Sequence, residues 1–190
     1  GMTFETGLRA LLRQDPDVIM VGETRDGETA GISVRAAITG HVVLSTLHTN
    51  SAASSIVRLE DMGVETYLVA NSLVGVVAQR LMRKVCPHCA QEMETTAEER
   101  DFLGEEIETV WRGRGCAHCN NTGYRGRIAV HEIFTVDAVL RRMISGHATM
   151  EEIENYAREH QQMRTLKENG VRLVADGVTT IEELMKIAYE

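Results

Sequence analysis

Apolar positions along the first part of the chain follow two rhythms in turn. Phe4, Leu8, Leu11 and Leu12 recur at helical spacing, as expected of a helix that packs one face. Val18-Ile19-Met20-Val21 is instead an unbroken apolar run closed by Gly22, the pattern of a strand buried on both sides. A helix is predicted from Asp26 to Ile38, with Gly40 as its stop. Val42-Val43-Leu44 is a second buried-strand candidate. Ser51 can cap a third helix carrying Ile56, Val57 and Leu59, which Gly63 ends. Strand and helix in alternation argue for a parallel α/β layer. Tyr67 to Met82 is largely apolar around Gly75 and is predicted to be a core helix.

Beyond Val85 the pattern becomes turn-rich. Two C-x-x-C pairs bracket an insert in which Thr96 and Glu99 have capping-box spacing, so a helix is expected there. The same spacing recurs at Thr149/Glu152, Thr165/Glu168 and Thr180/Glu183, with Gly146, Gly170 and Gly177 as punctuation. The C-terminal stretch is therefore predicted to be short helices. Three segments result: an α/β part over 1–84, a cysteine-bearing subdomain over 85–134 and a helical subdomain over 135–190.

Composition narrows the classes of function. With 190 residues, 43% hydrophobic and 25% charged, the chain matches ordinary globular proteins. No apolar run approaches the roughly 18 residues that a spanning helix needs. Gly1 to Arg9 lack the basic-then-apolar order of a secretory signal, and a cytoplasmic protein is expected. The formal charge of −8 and 4% aromatic content argue against nucleic acid, whose binders normally show a basic surplus and stacking platforms.

Three groups of residues suggest chemistry. Glu23 follows the apolar run at 18–21, where a strand ends and a ligand crevice opens in an α/β sheet; a turn residue without catalytic duty fits the same pattern. His41 and His48 flank the second run, and His48 would fall on the same edge as Glu23. There an imidazole can donate a hydrogen bond to a phosphate, or simply satisfy backbone carbonyls. Cys86-Pro87-His88-Cys89 and Cys116-Ala117-His118-Cys119 can surround one Zn²⁺ with four thiolates, the closed arrangement of a structural site. Redox dithiols are the alternative, although such motifs usually come singly. His88 and His118 are expected to be exposed loop residues. Arg112, Arg114, Arg125 and Arg127 lie around the second pair in sequence, as counter-charge to the thiolates or as a docking surface. Met143, Met150, Met163 and Met185 fall at helical spacings and read as core fillers.

Leu8-Arg9-Ala10, Arg13-Gln14-Asp15-Pro16-Asp17, Val21-Gly22-Glu23, Arg25-Asp26, Glu28-Thr29-Ala30, Thr39-Gly40-His41 and Leu47-His48-Thr49-Asn50 occur in that order. With the four cysteines and Thr122-Gly123-Tyr124-Arg125-Gly126-Arg127, the chain closely resembles the type II secretion and type IV pilus assembly ATPases along essentially its whole length. The resemblance implies the C-terminal part of a RecA-like P-loop ATPase domain, then a tetracysteine zinc subdomain and a small helical bundle. It implies that Glu23 is the Walker B glutamate beside Mg²⁺ and that His48 is the second histidine of the histidine box, positioning the terminal phosphate. Arg25 and His41 join the nucleotide and Mg²⁺ surroundings, with His41 the more structural, and Arg58 matches an arginine near subunit contacts. Thr24 departs from the pattern, in which an apolar residue is usual between Glu23 and Arg25. The implied parent hydrolyses ATP as a homo-hexamer and works with inner-membrane platform proteins. Retraction motors of the same superfamily usually lack the cysteine pairs, which favours assembly.

One expected feature is missing from these residues. The family holds triphosphate with Gly-x-x-x-x-Gly-Lys-Ser/Thr, whose amides and lysine grip the phosphates. Lys84, Lys167 and Lys186 are the only lysines, and none precedes Ser or Thr. The chain is thus expected to be a fragment, with negligible hydrolysis by itself. Two rivals are a stand-alone zinc-binding interaction module and a RecA-like nucleic-acid motor.

Overall fold

The computed structural model describes residues 1–104 and 106–188. The chain forms two compact units, Gly1–Val77 with Ile133–Met163 and Ala78–Glu132 with Arg164–Glu190. Both units are discontinuous, whereas the sequence reading divides the chain contiguously at 84/85 and 134/135. The chain leaves the first unit inside β3 (Gly75–Val85) and returns inside β6 (Tyr124–Thr135), two strands that are hydrogen-bonded neighbours.

The first unit begins with α1 (Phe4–Leu12), β1 (Val18–Val21), α2 (Gly27–Ile38) and β2 (Val42–Ser45). The Asp26 carboxylate accepts the Thr29 amide at 2.8 Å and so caps α2, satisfying a donor that a helix start leaves open. Gly27 is required at the first turn: a Cβ there would lie 2.1 Å from the Met62 carbonyl oxygen. β1 and β2 pair in parallel, from Val18 opposite Val42 to Val21 opposite Ser45, as the strand-helix alternation predicts. Ile19, Val21, Leu8, Ile32 and Ala36 form one buried cluster beneath the pair.

Burial on both faces is not what the structure shows for these strands. Val18, Met20, Val42 and Leu44 are 53–64% exposed. Side chains alternate across a strand, so the even-numbered positions share the face turned away from α1 and α2.

The predicted core helix over Tyr67 to Met82 is also replaced. After α3 (Ser54–Asp61), helix α4 (Thr66–Ser72) stops and Leu73 is already extended. Val74, Val76 and Val77 around Gly75 carry the chain into β3 instead. β-Branched side chains pack well on a pleated surface and lose freedom in a helix, and glycine weakens the helical alternative. The unit is completed by α6 (Ala138–Ser145) and α7 (Met150–Gln161), with α6 packed on α4.

The second unit holds β4 (Ala90–Glu94) and β5 (Thr109–Gly113), antiparallel from Ala90 opposite Gly113 to Glu94 opposite Thr109. Between them lies α5 (Ala97–Leu103), closed by the Thr96/Glu99 capping box. α8 (Leu166–Ala175) and α9 (Ile181–Ala188) follow, so α6 and α7 belong to one unit and α8 and α9 to the other. Met82, Leu103, Val110, Val130, Leu166, Val174, Ile181 and Leu184 make the core.

Thr149/Glu152 and Thr165/Glu168 cap as predicted. In the third pair, the Thr180 hydroxyl accepts the Glu183 amide at 3.4 Å, while the Glu183 carboxylate is drawn elsewhere. It accepts the Arg83 backbone N–H at 2.9 Å and Arg83 Nη2 at 2.7 Å, with Lys186 Nζ at 2.5 Å.

Candidate nucleotide site and candidate metal centre

Both groups of the first site sit just beyond the carboxyl ends of the parallel pair. Glu23 Oε2 lies 2.6 Å from Arg25 Nη2, and Oε1 lies 2.5 Å from His48 Nε2. The Glu23 side chain is largely covered, while Arg25 and His48 are open to solvent at 76% and 85%. Oε1 is enclosed, and His48 approaches it without the alignment of a regular hydrogen bond. The Arg25 guanidinium is the main reason that the Glu23 carboxyl titrates below its ordinary range; loss of hydration opposes this and His48 assists it. The same contact raises Arg25.

The loops that carry these groups are stitched together. The Thr24 N–H donates to the Thr46 carbonyl at 3.0 Å. The Thr46 hydroxyl donates to the Gly22 carbonyl at 2.6 Å, and the Thr24 and Ser45 hydroxyls meet at 2.8 Å. Thr24 is 3% exposed. The sequence reading marks Thr24 only as a departure and does not weigh Ser45 or Thr46; two consecutive hydroxyls at a strand end were the available signal.

Other residues expected at this site lie elsewhere. His41 precedes β2, at the end opposite His48, where its Nδ1 is 3.0 Å from the Ala36 carbonyl. Arg58 is exposed on α3, and its side chain makes no hydrogen bond or ion pair with Glu23 or His48.

The four cysteines come together in the second unit. Their Sγ atoms all lie within 4.8 Å of one another. Cys86 and Cys116 are 3.9 Å apart, Cys89 and Cys119 3.9 Å, and Cys116 and Cys119 3.7 Å. Disulfide sulfurs are about 2.05 Å apart, so these thiols are unjoined. A tetrahedron with Zn–S near 2.3 Å has edges of about 3.8 Å, which matches the three separations.

The knuckles are shaped by backbone that few residues tolerate. Asn120 and Asn121 are left-handed, as is Gly123 at φ +77, which asparagine and glycine permit. A Cβ on Gly113 would lie 2.1 Å from the Gly123 carbonyl oxygen, so the end of β5 and the second knuckle can touch only as two glycines. The Cys86 amide donates to that same oxygen at 2.9 Å.

Amides aim at sulfur as well. Cys116 N–H and Gly123 N–H reach Cys119 Sγ at 3.2 and 3.3 Å. Burial pushes the Cys119 thiol upward, but these donors outweigh it and bring it down to about 6. Burial and the neighbouring thiols push Cys89 up to about 12.

His88 and His118 are exposed, as expected, and stack on each other with ring centroids 4.0 Å apart. Arg112 turns to the carboxylates of Glu99 and Glu182, so its charge is already engaged by acids. Arg114, Arg125 and Arg127 are exposed.

The first unit thus presents an acid, an arginine and a histidine at one edge of a parallel strand pair, and the second unit carries a tetracysteine cluster. The family model described as Type II/IV secretion system protein matches residues 1–186, and the chain belongs to that family. It is 46% identical to the type II secretion system ATPase E of Vibrio cholerae over all of its length and 38% of that protein's. It is 47% identical to the type IV pilus assembly ATPase PilB of Thermus thermophilus, again over its full length but 22% of the relative's. The chain thus spans about two-fifths or less of these relatives.

Among solved structures, the pilus retraction motor PilT with bound ADP has a TM-score of 0.68 and 27% identity, with all of this chain and 44% of PilT covered. The DotB ATPase of Legionella pneumophila, at 22% identity and a TM-score of 0.64 over 98% of this chain and 42% of its own, shares the fold.

Proposed function

We propose that this chain is the hydrolysis-side part of a hexameric motor that splits ATP to power type II protein secretion or type IV pilus assembly. The observation that carries the reading is the Glu23–His48–Arg25 cluster at the carboxyl edge of β1 and β2. Ligands of open α/β sheets bind at that edge. In this reading the RecA-like hydrolysis edge would lie within 1–84 and the zinc ligands within 85–134, while the helices of 135–190 are divided between the two units.

The residues suit Mg²⁺ and phosphate together. Glu23 Oε1 is an enclosed acceptor without a regular hydrogen bond, and a single carboxylate with substrate phosphates is a common way to hold Mg²⁺. When bound, the ion would neutralise developing charge on the phosphates. Arg25 and His48 are free on their outer sides to donate to phosphate oxygens, His48 serving the terminal one. His41 would brace β2, and Arg58 would face a neighbouring subunit. The phosphate-gripping lysine loop is not among these 190 residues, so the chain alone should neither bind ATP tightly nor hydrolyse it appreciably.

The setting follows from the same reading. The motor would be cytoplasmic, act against inner-membrane platform proteins, and have no nucleic acid partner. Among the described residues no helix is long and apolar enough to cross a membrane. The four thiolates would hold Zn²⁺ as a structural ion.

The test is turnover of the full-length protein. Glu23→Gln should retain nucleotide affinity and melting temperature while losing about 10²-fold or more in kcat, as removal of such electrostatic groups does. His48→Ala should lower kcat in the same way. A variant that turns over like the wild type would remove that residue from the site.

A further inference from the structure

Glu23 and His48 meet across a gap that the strand ladder itself does not close. The last register pair is Val21 with Ser45, and both catalytic candidates lie beyond it, two residues past the end of β1 and three past the end of β2. Three hydrogen bonds continue the pairing into the loops. Two involve backbone groups: Thr24 N–H to the Thr46 carbonyl, and the Thr46 hydroxyl to the Gly22 carbonyl. The third joins side chains only, Thr24 Oγ1 to Ser45 Oγ at 2.8 Å, and Thr24 is almost wholly buried.

Resting on the nucleotide-site reading above, we infer that Thr24 is a positioning residue, whose hydroxyl bonded to Ser45 fixes the loop carrying Glu23 against the loop carrying His48. Thr24 is covalently next to both Glu23 and Arg25, so a shift of its backbone moves both charged groups at once. A buried hydroxyl deprived of its partner is costly to leave unmade, so the pair locks one arrangement of the two loops. An apolar residue of the same volume fills the space equally but has no preferred partner. Its loop is then held only by the two remaining bonds, Thr24 N–H to Thr46 and the Thr46 hydroxyl to Gly22, and is freer to shift. A displacement of about 1 Å at a reacting group can cost up to 10²-fold in rate.

The experiment uses the full-length protein and compares Thr24→Val, Thr24→Ser, Ser45→Ala and the Thr24→Val/Ser45→Ala double variant. Thr24→Val keeps the volume and removes the hydroxyl; it should lower kcat by about three- to tenfold with KM for Mg-ATP nearly unchanged. Thr24→Ser keeps the hydroxyl and should recover most of that loss. Ser45→Ala should match Thr24→Val, and the double variant should be no worse than either single change, because one shared bond is being removed.

Melting temperature is followed in parallel. If Thr24→Val loses rate only as far as it unfolds, while Ser45→Ala folds normally and turns over like the wild type, the inference falls. It also falls if the two losses simply multiply, or if Thr24→Ser is as slow as Thr24→Val. Glu23→Gln is the control for the underlying reading. Wild-type turnover in Glu23→Gln rejects the site itself, whereas loss in Glu23→Gln with no loss in Thr24→Val rejects only the positioning role.

Discussion

Removing the metal from the four-cysteine cluster should unfold the unit that contains it. Three sulfur separations of 3.7–3.9 Å match the roughly 3.8 Å edge of a Zn–S tetrahedron, so the chain spends little distortion in closing around the ion. Structural zinc is worth roughly 10–16 kcal/mol of apparent binding free energy at neutral pH. That is as large as the whole stability of a typical domain, about 5–15 kcal/mol, and this unit has a modest core. If the four thiolates share the binding energy evenly, Cys89→Ser should lose on the order of 3 kcal/mol, or 10²-fold or more in zinc affinity. The chain provides its own probe. Trp111, the single tryptophan, lies in β5 against Gly177, with Cδ1 2.6 Å from where a Cβ on that glycine would be. Titrating the reduced protein with a chromophoric chelator should release one zinc per chain and red-shift Trp111 emission in the same transition. Cys89→Ser should release its metal at far lower chelator concentration. A freshly purified reduced chain without zinc, or one that loses zinc with unaltered Trp111 emission and melting, would refute the reasoning.

Three further changes test the packing, two in the unit that holds that centre and one in α1. Glu183→Gln should cost about 2–3 kcal/mol at neutral pH, because Arg83 and Lys186 overcome burial and hold the carboxyl at about 2 instead of 4.5. A depressed carboxyl stabilises above its unfolded pKa and loses that contribution as pH falls through the folded one. The stability gap between wild type and variant, measured by urea denaturation, should therefore be constant from about pH 8 to 5 and narrow only below about 4; narrowing near neutrality would point to another group. Gly123→Ala should destabilise by about 2–4 kcal/mol, since its φ of +77 is left-handed and its Cβ would meet the Gly113 carbonyl oxygen at 2.4 Å. Gly7→Ala, in the middle of α1 with only Met2 near 3.9 Å, should instead gain about 0.5–1 kcal/mol, and equal losses at both glycines would contradict the packing described.

Local signals in the sequence were read well where one short stretch decides the outcome. The start of α2 at Asp26, the stops at Gly40 and Gly63 and the two complete capping boxes near the C-terminus are all properties of four or five consecutive residues. The cysteines were equally legible, because two C-x-x-C pairs admit few other geometries. Signals that depend on distant partners were not. Glu183 has capping-box spacing with Thr180, but Arg83, a hundred positions away, offers its carboxylate a backbone N–H and a guanidinium. Arg112 adjoins the second knuckle in sequence, yet Glu99 and Glu182 take its charge. Val74 to Val77 could be counted into an apolar helix, and β-branching at three of those positions was the cue that outweighed the count. The second unit's core joins Met82 to Leu184, which no contiguous partition of the sequence expresses.

The least regular part of the candidate nucleotide site follows from the thinness of its sheet. Among the described residues, β1 and β2 form a two-stranded sheet of four residues each, with Val18, Met20, Val42 and Leu44 bare on one face. Two-stranded sheets are marginal without packing on a hydrophobic face, and here α1 and α2 supply packing on one side only. Helical packing beneath the strands fixes Ile19 and Val21, which lie on the buried side. It does not extend to Glu23, which lies past the ladder. A carboxylate in that position has two ways to be held: by the cations it contacts, or by the chain on either side of it. Arg25 and His48 are mostly solvated, and exposed ion pairs are worth little as anchors, about 0–1 kcal/mol. The rigidity must therefore come from the chain, through the bonds of Gly22 and Thr24 to Ser45 and Thr46. In the proposed site, the placement of Glu23 and His48 then depends on neighbouring hydroxyl residues, and a substitution there should lower turnover without leaving any mark on the core.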